Sequence, residues 1–174
     1  MDLTAVEREN TVLGQDFLTW LWYRIASGSH MFQLEDGKYY SVNMEQRISV
    51  QGGNGEGVET ATVNSPRGEL TEAMTGLKTG KKVCRAQLRF QSDEDEWTLT
   101  VKAEDFLFSG LKTPKIATRD EEGDDPDAKF LEKVYLLEKA MTMFDTIFKE
   151  FLKVRLSSDW KEEAAKVGSW IGAI

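Results

Sequence analysis

The stretch KVCRAQLRFQSDEDEWTLTVK, Lys82 to Lys102, decides the reading of the fold. Its residues alternate with a period of two, the spacing of a strand buried on one side. Cys84, Ala86, Leu88 and Phe90 run along one face, and Trp97, Leu99 and Val101 return on it after the acidic turn SDEDE. This is a β-hairpin with one apolar face. Its other face carries Arg85, Gln87 and Arg89 on the first strand, then Thr98, Thr100 and Lys102 on the second.

The same period appears upstream. Phe32 and Leu34 alternate with Gln33 and Glu35, and Asp36-Gly37 supplies a tight turn. Tyr40, Val42 and Met44 share a face, Ile48 and Val50 read as a third strand, and Glu59 to Val63 as a short further one. Downstream, DFLFSGL, residues 105–111, reads as extended up to Thr113-Pro114.

Helical periodicity brackets these strands. In LGQDFLTWLWYRI, Leu13 to Ile25, an arc of Phe17, Leu18, Leu21, Trp22 and Ile25 forms one apolar stripe. Trp20 and Tyr23 fall on the opposite side, and we expect them to contact another segment or a second subunit. Base stacking is the alternative, but such platforms interleave aromatics with Lys or Arg, and only Arg24 is adjacent. Pro66 opens a short helix with Leu70, Ala73, Met74 and Leu77 on one face, and Gly80 stops it. From the N-cap Asp125 and Pro126, the series Phe130, Val134, Leu137, Met141, Phe144, Phe148 and Phe151 makes a long helix with a heptad-like seam. That seam suits either the core or a dimer. Ser157-Ser158 breaks it, Asp159 caps a last helix, and Trp160, Ala164, Val167 and Ile171 form that helix's apolar face.

Without βαβ alternation, this order predicts an α+β fold. The expected architecture is a mostly antiparallel sheet with an N-terminal helix, a short central helix, a long C-terminal helix and a short one after it. A chain of 174 residues fits one domain over 1–174, with flexible loops at 51–58 and 117–125.

Composition narrows the function classes. Cys84 and His30 are the only cysteine and histidine, so no disulfide can form within the chain, and a reducing cytoplasm is expected. The start MDLTAVEREN lacks the features of a secretory signal, and no apolar run approaches membrane-spanning length. Hence no membrane partner is expected. Any nucleophile–histidine pair would need His30, which sits in a turn, and GGNGEG, Gly52 to Gly57, lacks the ending of a phosphate loop. Asp93, Glu94, Asp95 and Glu96, like Glu121, Glu122, Asp124 and Asp125, lack calcium-loop spacing and read as solvated turns. We therefore expect a non-enzymatic protein with no catalytic residue, metal or cofactor.

The net charge of -8 repels nucleic acid at long range, so any DNA contact needs a local basic patch. The hairpin's outer face offers one in Arg85, Arg89 and Lys102, with Lys78, Lys81 and Lys82 just upstream. Such a stripe can track phosphates without reading bases. The competing reading is an ordinary solvated strand face.

The ordered succession of LGQDFLTWLWYR, ELTEAMTGLKTGKKVCRAQLRF, WTLTVKAEDFLFSGLKTP, an acidic linker and FLKVRLSSDW resembles the C-terminal part of the recombination-associated protein RdgC family. The resemblance spans about Leu13 to Trp160 and rests on aromatic and glycine landmarks. It implies a dimeric, nucleoid-associated protein that binds duplex DNA non-specifically and acts in DNA recombination by competing with the RecA recombinase. The chain starts near the point where that family's second half starts, which leaves ring closure open. A protein-interaction or assembly module without DNA binding is the alternative.

Overall fold

The computed structural model describes residues 3–52, 59–64, 71–115 and 126–173. Among these described residues, four helices and six strands follow the expected order: α1 (Leu3–Ala26), β1 (Met31–Gln33), β2 (Tyr39–Gly52), β3 (Glu59–Asn64), α2 (Thr71–Lys78), β4 (Lys82–Ser92), β5 (Asp95–Lys102), β6 (Phe108–Lys112), α3 (Pro126–Arg155) and α4 (Trp160–Ala173). The sheet runs β1-β2-β4-β5-β6, with β3 also on β2, and every pairing is antiparallel. The protein is α+β, as its sequence predicts.

The central hairpin has the expected register. Phe90 faces Trp97, Leu88 faces Leu99 and Ala86 faces Val101, and all six are buried. Between them, Arg89 pairs with Thr98, Gln87 with Thr100 and Arg85 with Lys102 on the outer face. At the turn, Asp93 takes a left-handed φ of 51°, a conformation that Asp tolerates better than most residues.

The described helices pack on the inner face. Phe17 of α1 is the hub: Phe144, Phe148 and Phe151 of α3 lie around its ring at 5.5, 5.2 and 5.4 Å between centroids. The Trp97 indole donates to the Leu136 carbonyl of α3 at 3.1 Å, tying sheet to helix. Gly14 lets α1 meet the chain after β5 backbone to backbone, since a Cβ there would lie 2.0 Å from the Ala103 carbonyl oxygen. Beneath α2, Ala73 and Leu77 are buried, and a Cβ on Gly76 would meet Val50 at 2.6 Å.

Several expectations need correction. Residues 39–52 form one long strand rather than two, with pairing shifts against β4 between Met44 and Ile48 and between Ser49 and Val50. Gln51 and Gly52 thus belong to β2, not to a loop at 51–58. The extended piece near 105–111 is partly a turn: Phe106 has a φ of 52°, and β6 begins only at Phe108. Loop residues 53–58 and 117–125, Pro66, Leu70, the Asp125 cap and the acidic group at 121–125 lie outside the described residues.

The long helix buries the second half of the expected seam, with Met141 and Phe148 packed against the core, together with a neighbouring stripe. Leu136, Ala140, Met143, Phe144, Ile147 and Phe151 are buried, whereas Phe130 is 65% and Leu137 45% exposed. A helix of 30 residues reaches about 45 Å. Over its first turns, most of the described side chains from Asp127 to Tyr135 are exposed.

Candidate nucleic-acid interface

Two clusters of sites emerge, one on each side of the sheet. The outer face carries Arg85, Arg89 and Lys102 among hydroxyl and amide side chains. Lys78, Lys81 and Lys82 do not join it. Lys78 is exposed on α2, which packs on the inner side, while Lys81 and Lys82 line a cleft next to α1 and α4. The six cations, spread over residues 78–102, are split because the α2–β4 turn carries Lys81 and Lys82 toward the helices. Lys82 Nζ meets Asp16 of α1 at 2.5 Å.

Carboxylates answer most of the outer charge. Arg89 lies between Glu45 at 2.8 Å and Glu96 at 3.5 Å. Its Nε is close to Glu45 without hydrogen-bond geometry and, like its cross-strand neighbour Thr98 Oγ1, is buried with no hydrogen-bond partner. Lys102 bonds Glu104 at 2.6 Å and lies 3.7 Å from Asp105. The hydrogen bond to Glu104 holds the Lys102 ammonium above the usual lysine range. Among the described residues, no carboxylate forms an ion pair with Arg85, which is exposed. A shallow depression of about 410 Å³ beside it is lined by Ser49, Gln51, Thr62, Cys84, Arg85 and Lys102 among others.

Cys84 belongs to this depression rather than to the core, a correction with a clear cause. Ser49 pairs with Arg85 but Val50 pairs with Val83, so Cys84 is the extra residue of a β-bulge. Val83 takes the buried position and Cys84 turns outward, half-buried, with its Sγ 3.3 Å from the Ser49 carbonyl. Partial burial pushes the thiol up, which keeps it protonated and a poor nucleophile.

Trp20 and Tyr23 are used within the chain. Trp20 is 2% exposed, packs at a tilt against Phe17 and Phe151, and donates its indole N–H to Glu163 of α4 at 3.0 Å. Tyr23 packs 5.9 Å from Trp170 of the same helix. The expected contact with another segment is α4. Burial closes Trp20 to a second subunit, whereas Tyr23 remains half-buried.

The exposed apolar residues lie elsewhere. Phe130, Leu131, Tyr135 and Leu137 are 65, 65, 56 and 45% exposed on the head of α3. The heptad spacing pointed to this helix, but only the exposure of these side chains identifies its free part. Among the described residues no three histidine, cysteine or acidic side chains converge in a way that could hold a metal ion, and no helix is long and apolar enough to cross a membrane. His30 is half-buried after the turn at Gly28, its carbonyl accepting from Val42 N at 2.8 Å. No protein-family model matches this chain, and neither the curated proteins nor the solved structures contain a match.

Proposed function

We propose that this chain is a non-enzymatic module that binds duplex DNA without sequence preference through the outer face of its sheet. The resemblance to the C-terminal part of the RdgC family supplies the biological setting, recombination at the nucleoid. The observation that carries the reading is the polar outer face, where Arg85 is exposed and forms no ion pair with a carboxylate among the described residues. Arg89 and Lys102 flank it, and phosphates would have to displace Glu45, Glu96, Glu104 and Asp105 from them. Few net phosphate contacts per chain follow, so a single copy binds weakly and a dimer binds better.

The test is binding of a labelled random duplex over a range of salt concentrations. With Arg85, Arg89 and Lys102 as the contacts, the log–log salt slope per chain is about -3 or shallower. An Arg85→Ala/Arg89→Ala variant should lose most of the affinity and flatten the slope by about 2. Absence of binding at low salt defeats the reading for this chain.

A second reading, an assembly module without DNA binding, is favoured by the exposed apolar head of α3. Self-association there would pair Phe130, Leu131 and Leu137 with those of a second copy, which is also the expected homodimer. Sedimentation velocity distinguishes the two. A dimer that a Phe130→Glu/Leu137→Glu variant converts to monomer supports the seam, and a wild-type monomer at high micromolar concentration removes it.

A further inference from the structure

A cleft of about 400 Å³ lies on the helix side of the sheet, between α1, the α2–β4 turn and α4. That volume falls within the range of small-molecule sites. Trp20, Leu77, Trp160, Val167 and Ile171 supply its apolar walls. Helix α4 roofs it loosely, since none of that helix's residues is fully buried. The roof is also notched where Ala164 and Gly168 stand one turn apart, and a Cβ on Gly168 would meet nothing within 4 Å. The space is therefore left by small residues in the roof.

The charge at one end of the cleft is uneven. Among the described residues, Asp16 is the one carboxylate that pairs with both Lys82, at 2.5 Å, and Arg155, at 3.4 Å. Glu163 does not correct the imbalance, because it accepts from Trp20 and has Lys166 3.8 Å away. The Lys82 side chain stays 44% exposed beside the apolar walls. We propose that this cleft binds a small monocarboxylate with an apolar body, such as a medium-chain acyl or aromatic acid. The carboxylate pairs with Lys82 at the rim, and the body lies between Trp20, Trp160 and Val167. This site lies across the sheet from Arg85 and does not depend on DNA binding.

Calorimetric titration of the full chain with sodium octanoate, with octanol as the uncharged control, tests the assignment. Indole N–H resonances of ¹⁵N-labelled protein report the location. The expected result is saturable octanoate binding that shifts the Trp20 and Trp160 signals and leaves Trp97 unmoved. Octanol should bind about tenfold more weakly, because it lacks the charge-assisted bond. Gly168→Leu should abolish binding by filling the notch, while replacing a helix-interior glycine favours α4, so the fold is kept. Lys82→Gln should remove the preference for octanoate over octanol. No saturable binding, equal binding of octanoate and octanol, or undiminished binding by Gly168→Leu would each overturn the proposal.

Discussion

The inner and outer faces of this sheet come from the same strands, residue by residue in alternation, yet they are organised by different forces. On the inner face, Phe17, Trp20, Phe90, Trp97 and Phe151 are buried in a continuous aromatic core with α1 and α3. On the outer face, Arg89 and Lys102 are held by surface carboxylates and Arg85 stands in solvent. Burial of large apolar side chains contributes several kcal/mol each, whereas exposed ion pairs contribute about 0–1 kcal/mol. The outer face can therefore change its charges without endangering the fold, which suits a binding surface.

The most severe way to break this division is to disturb the inner face. Phe17→Ala removes the hub of the aromatic cluster and should cost about 3–5 kcal/mol in urea unfolding. Gly14→Val should be comparably damaging, because its side chain would collide with the Ala103 backbone and push α1 off the sheet. A loss under about 1 kcal/mol in both would show that α1 is not seated as described.

A smaller effect on stability, with a larger one on binding, is expected outside. Arg85→Ala/Arg89→Ala should shift unfolding by about 1 kcal/mol or less while removing salt-sensitive DNA binding. If instead it destabilises the fold as much as Phe17→Ala does, the two faces are not separable.

The smallest effect concerns pH at the β1–β2 turn. The Lys38 backbone N–H donates to Asp36 at 2.9 Å and, with Lys139 nearby, holds the Asp36 carboxyl below its ordinary value of 3.8. A depressed folded-state pKa adds stability that is present above that ordinary value and lost as pH falls through the folded one. Thermal unfolding should therefore show a slightly smaller acid-induced drop in Tm for Asp36→Asn than for the wild type, measured between neutral and strongly acidic pH. An identical drop would mean that the turn contributes nothing to acid sensitivity.

Much of the fold was legible in single residues. The pairing of Phe90 with Trp97 and Leu88 with Leu99 follows from alternation around a short turn, and the α1 stripe from helical spacing. The candidate site was less legible. Lys82 and Arg85 stand three residues apart, yet Lys82 binds Asp16, 66 positions away, on the helix side. Arg89 is matched by Glu45 of a neighbouring strand, and Cys84 changes face at a bulge visible only in the β2–β4 pairing.

The sequence by itself determined the element order, the α+β class, the hairpin register and the presence of two differently built faces. These depend on local periodicity, which the chain carries along its length. The tertiary structure alone decided which cations share a surface, which carboxylates oppose them, which part of α3 stays exposed and how α4 encloses a cleft around Trp20. Those outcomes depend on contacts between distant segments, which have no period for a linear pattern to record.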